Sequence, residues 1–101
     1  MTREDFVFTI GYDGECAVID KKARKQYGNL KTEELFDIGL VKAAVRSAVF
    51  SKDPDEKRLV LEKYNGKAGR SAEDFSHLQS FFGVTDQDLD SASAIGKSIL
   101  L

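Results

Sequence analysis

The chain has no tryptophan and only one cysteine, one proline, one methionine and one histidine. Each shortage excludes something. A lone Cys16 forms no internal disulfide, so the fold is not a stapled secreted scaffold, and a reducing compartment is expected. Cys16 and His77 together fall short of the four ligands that structural zinc takes. No third group is placed to orient them as a nucleophilic pair. Carboxylates are plentiful but scattered, and no spacing gathers two of them in a cleft. The expectation is therefore no enzyme, no metal and no cofactor. Long apolar runs are also missing. The longest is cut by Lys42 and Arg46 and falls short of the roughly 18 residues of a membrane span. The opening MTREDF lacks the apolar core of a signal peptide, so a cytoplasmic protein with no membrane attachment is expected. Finally there is little net charge. Fifteen basic against 17 acidic residues give −2, which exerts no general pull on nucleic acid or anionic lipid.

What remains is the composition of a globular protein, 42% hydrophobic and 32% charged. Its 101 residues suit one domain, 1–101, with one core. The stretch Thr32 to Ser51, TEELFDIGLVKAAVRSAVFS, organises the rest. Its apolar residues recur at helical spacing around most of the circumference, leaving a narrow stripe of Gly39, Lys42 and Arg46. Such a helix must be covered on more than one side, so it is predicted to be central.

Upstream, Phe6 to Asp20 predicts a β-hairpin turning at Asp13-Gly14. That turn would pair Tyr12 with Glu15, Ile10 with Ala17 and Phe8 with Ile19. Phe6, Phe8, Ile10, Ala17 and Ile19 would face the core. Val7, Thr9, Gly11, Cys16 and Val18 would form an outer face more apolar than one facing water needs to be. Asp20 begins a short helical turn that stops at Gly28-Asn29. Asp53-Pro54 starts another helix, with Glu56 completing a capping-box pattern, and it runs to about Tyr64. Ser71 is expected to cap a helix ending at Gly83. Thr85 and Asp88 start a last helix burying Leu89, Ala92, Ile95 and Ile99. The fold class is α+β: an N-terminal hairpin on a bundle of about four helices.

Leu78, Phe82, Gly83, Val84, Leu89 and Ala92 have the spacing of two helices joined by a tight turn. Within 72–100 this resembles the DNA-binding helix-turn-helix family, although Gln79 stands where that family usually has a small residue. The resemblance implies base reading from the exposed start of the second helix. That start carries Asp86, Asp88 and Asp90 and no Lys or Arg, so its charge opposes DNA.

The loop GKAGRS, residues 66–71, brings Lys67, Gly69, Arg70 and Ser71 to an expected helix N-terminus, an arrangement able to hold an anion. It is not a Walker A loop, because Arg replaces Lys and a helix precedes it. Basic residues gather at 21–25 and 57–70, while the chain beyond Ser71 turns acidic. The leading expectation is a small non-enzymatic protein-interaction module. Its partner would be another protein or a second copy, met through Val7 and Val18 of the hairpin, through Lys21, Lys22, Arg24 and Lys25, or through Ile99-Leu100-Leu101. The alternatives are nucleic-acid binding through segments 21–25 and 57–70, which is not favoured, and a small-anion site at 66–71.

Overall fold

The computed structural model describes residues 1–67, 69–94 and 97–101. Among them are seven helices and three strands: α1 (Arg3–Val7), β1 (Thr9–Asp13), β2 (Cys16–Ile19), α2 (Lys21–Tyr27), α3 (Thr32–Asp37), α4 (Val41–Ser51), α5 (Pro54–Asn65), α6 (Phe75–Phe82), α7 (Asp86–Ala94) and β3 (Lys97–Leu100). The class is α+β, a hairpin packed with helices.

The hairpin is shorter than the alternation predicts, because its first residues are helical. The Thr2 hydroxyl accepts from the Asp5 amide, and Glu4 and Asp5 favour the positive end of α1. Phe6, Val7 and Phe8 all turn into the core, 0%, 3% and 6% exposed. Val7 is therefore not on an outer face. The register also differs. Asp13 pairs with Cys16, Tyr12 with Ala17 and Gly11 with Val18, so Gly14-Glu15 is the turn. Gly14 has φ +59 and Glu15 does not share it. Positive φ at the first central position alone is the type II′ pattern; type I′ needs it at both. A bulge then skips Ile10, and Thr9 pairs with Ile19. Ala17 and Ile19 still reach the core, whereas Ile10 stays 59% exposed.

The central helix lies in two pieces. Gly39 takes φ +91. Its amide donates to the Phe36 carbonyl, and that of Leu40 to Leu35, both at 3.0 Å. This is a Schellman ending, and it stops α3 at Asp37. The second piece, α4, is the buried rod: Ala44, Val45, Arg46, Ser47, Ala48 and Val49 are all buried. Around it pack Phe6 and Val7 of α1, Leu35 and Phe36 of α3, Val60 of α5, Leu78 of α6 and Leu89 of α7.

A chain of donors joins these elements. The Arg3 guanidinium donates to the Gly28 and Leu30 carbonyls and to Ser47 Oγ. Ser47 and Thr32 share a hydrogen bond of 2.7 Å, and Thr32 Oγ1 donates to Glu56. Donor order therefore runs from guanidinium through two buried hydroxyls to a carboxylate. It explains why Glu56 does not close a capping box at Asp53, whose own side chain accepts from the Asp55 amide.

The C-terminal half holds two more departures. Ser71 caps nothing; α6 begins at Phe75, with Asp74 accepting from the His77 amide. The last helix ends at Ala94, and β3 lies parallel to β2, with Val18 opposite Ile99 and Ile19 opposite Leu100. Ile99 is thus a strand residue, 37% exposed, and not a buried helical one. Ile95 lies outside the described residues.

Candidate functional site

The break at Gly39 shapes a broad concavity, because it turns Leu40, Val41 and Ala43 toward one flank. A groove of about 590 Å³ runs along them. Phe8 of the α1–β1 corner and Ala23 of α2 form one wall; Tyr64, Phe81 and Phe82 form the other. The aromatic wall is held edge to face: Phe82 sits 6.3 Å from Tyr64 and 5.0 Å from Phe81, between ring centroids. Phe82 is half-buried, but Phe81 is 68% exposed. A large, mostly exposed aromatic thus borders an apolar floor.

Three charged side chains line this groove. They are Lys42, Arg70 and Asp20. The Asp20 carboxylate already caps α2 by accepting from the Ala23 amide. The Arg70 guanidinium lies 5.5 Å from the centroid of Tyr64. Two cations against one engaged carboxylate leave the groove with positive polarity. A smaller cavity of about 160 Å³ shares Phe8, Asp20, Lys42 and Ala43 with it and reaches Ile10 and Arg46. Arg46 is buried, donates from Nε to the Phe6 carbonyl at 2.7 Å and stands 4.2 Å from the Phe6 ring centroid. Among the described residues its Nη2 has no hydrogen-bond partner. Burial pulls its pKa down, and Tyr12 and Asp88 only partly offset this.

The sequence-derived candidates are scattered around this site. Lys21, Lys22 and Lys25 are exposed on α2, whose Ala23 lines the groove. Arg24 instead pairs with Asp5 at 2.6 Å. Burial raises the Asp5 pKa, but hydrogen bonds from Arg24 and Thr2, with the Arg24 charge, hold it below its ordinary value. Val18 is half-buried on the outward face of the sheet, while Val7 is in the core.

In the 66–71 loop the expected helix N-terminus is absent, since α6 starts later. Asn65 instead clamps the loop by exchanging two hydrogen bonds with Ala72. Lys67 stands 5.6 Å from the Phe36 ring centroid, and Gly69 and Ser71 are exposed. Ala68 lies outside the described residues. Of the four anion candidates only Arg70 reaches the groove.

The basic region 57–70 is partly neutralised. Lys63 bridges to Asp37 and Glu33, its pKa raised chiefly by the Asp37 hydrogen bond, and Arg58 pairs with Asp55. The Gly83 corner does join two helices through a Schellman ending, Gly83 at φ +69. The start of α7 is occupied by Thr85 and Asp88 capping one another.

His77 is exposed on α6 and Cys16 half-buried on β2. Among the described residues no three His, Cys, Asp or Glu side chains are placed to hold a metal ion, and no helix is long and apolar enough to cross a membrane. Sequence reasoning missed the groove because its lining comes from four separate helices and the connections between them. The local signal was Gly39 inside an otherwise helical pattern, together with the Phe81-Phe82 pair just before Gly83.

No protein-family model, curated protein or solved structure matches the chain.

Proposed function

We propose that the protein is a small, non-enzymatic, cytoplasmic protein-interaction module that receives an apolar segment of another polypeptide carrying acidic residues. One observation carries the reading: a groove walled by Leu40, Val41, Phe81 and Phe82, open to solvent and bordered by Lys42 and Arg70. Interface anchors are typically aromatic or apolar groups seated in such concavities, with charges at the rim setting orientation and partner choice. The exposed lysines of α2 extend the positive rim on one side. The single thiol and the lack of disulfides fit a reducing cytoplasm.

The reading is tested by selecting peptides from a random library against the folded chain. Recovered sequences are expected to combine large apolar residues with Asp or Glu, and Leu40→Asp should abolish their binding without unfolding the protein. Binders that ignore Leu40→Asp, or a selection that yields none, would refute it.

A further inference from the structure

The third strand leaves an open edge whose chemistry matches itself. In the parallel ladder with β2, Leu101 donates to the Ile19 carbonyl at 3.0 Å and accepts from the Lys21 amide at 3.1 Å. Residues that bond to one neighbour alternate along a strand, so Lys97, Ile99 and Leu101 face β2. Ser98 and Leu100 therefore turn their N–H and C=O groups to the open side. On the other edge of the sheet, β1 carries the bulge at Ile10, a feature that blunts strand addition. β3 is an edge strand that is exposed along its whole length, with Ile99 and Leu100 37% and 46% exposed.

We propose that this edge pairs with the same edge of a second copy of the chain, antiparallel about a two-fold axis through Ile99. In that register Ser98 of each copy meets Leu100 of the other, and the four outward groups on each side form four hydrogen bonds. The two Ile99 side chains become a close, non-hydrogen-bonded pair. They lie on the outward face with Val18, which pairs with Ile99 within each copy. The apolar strip from Val18 to Ile99 is then continuous across the axis. Charge selects the antiparallel sense. Lys97 is the only charged residue of the strand; a parallel arrangement would set the two Lys97 side by side, whereas the antiparallel one separates them by about 13 Å.

This deepens the interaction reading by naming one partner, on a surface separate from the groove. Equilibrium sedimentation should show a mass that doubles with concentration. Ser98→Pro removes an outward amide and no bond of the β2–β3 ladder. It should weaken association about tenfold or more, since two hydrogen bonds of the dimer are lost, while the circular dichroism stays native. Oxidation of Ile99→Cys in a Cys16→Ser background should give a covalent dimer. Ser98→Cys in the same background should not, because its sulfurs would sit too far apart across the axis. A strict monomer overturns the proposal, as does a dimer that Ser98→Pro leaves intact, or equal crosslinking at 98 and 99. Leu40→Asp should leave the dimer unchanged. Loss of the dimer in that variant would overturn edge pairing while retaining the groove as an interface.

Discussion

Replacing Gly39 by alanine probes the corner that creates the groove. Gly39 has φ +91, and a Cβ built there meets nothing within 4 Å. Any loss of stability must therefore come from the backbone and not from a clash. Holding an L-residue in the left-handed region costs about 1–2 kcal/mol. Against this, alanine restricts the unfolded chain and returns about 0.4–1 kcal/mol where it fits. The net expectation is a destabilisation of about 1 kcal/mol. For a chain of this size that lowers Tm by about 4–8 °C. Thermal and urea unfolding followed by far-UV circular dichroism would measure it. Gly66→Ala supplies the control. Gly66 closes α5 at φ −76, and its Cβ would meet only the Glu62 and Lys63 carbonyl oxygens at 3.4 and 3.6 Å. That substitution should be neutral or stabilising. A D-alanine at position 39, introduced by chemical synthesis, should stabilise, because its mirror preference suits the observed φ. If L-alanine at 39 were as stable as glycine, or raised the helix content, the chain from 32 to 51 would be one continuous helix. The groove wall would then not exist as described.

Three further outcomes follow from the same packing. In a double-mutant cycle on Arg3→Met and Ser47→Ala, urea unfolding should show a coupling of about 1–2 kcal/mol, because both arms of the guanidinium–hydroxyl contact are partly buried; additivity would contradict the donor chain. Arg46→Met should cost less than half as much as Arg46→Ala in the same assay. Methionine keeps contact with the Phe6 ring and removes a buried, incompletely paired charge, whereas alanine leaves a cavity. The Asp5 carboxylate, held below its ordinary value of 3.8 when folded, adds stability that is present above that pH and lost as the pH falls through the folded pKa. Arg24→Gln should therefore flatten the fall in stability below about pH 4, relative to the unaltered chain, as read from unfolding midpoints across the acid range.

Much of the local architecture is legible because it is written in single residues. Asp20, Asp53 with Pro54, Gly83, and Thr85 with Asp88 mark helix ends where the structure has them. The apolar rod is legible too, over Ala44 to Val49. The errors arise where two signals compete. Thr2 with Asp5 three residues on is the local signal of a helix start, and the alternation of Phe6, Phe8 and Ile10 masks it. In the fold, α1 and its C-cap bury Phe6, Val7 and Phe8 together, which a strand with one face to solvent would not do. Gly39 reads as one poor residue in a long helix, but in the fold it takes the left-handed conformation of the Schellman ending that stops α3. β3 was invisible because a four-residue parallel strand exists only by virtue of β2, a partner some 80 residues earlier in the sequence. Gly96 ahead of Ser98-Ile99-Leu100 was the available hint. The groove needs all of these corners at once, so only Arg70 and the neighbourhood of α2 emerged from sequence alone.

The most direct measurement of the interaction reading is amide chemical-shift mapping of the labelled protein with a selected acidic–apolar peptide. Saturable shifts are expected at Leu40 to Ala43, Tyr64, Arg70, Phe81 and Phe82. Shifts confined to the opposite flank, around Asn29 to Glu33 and Glu56, would contradict that reading.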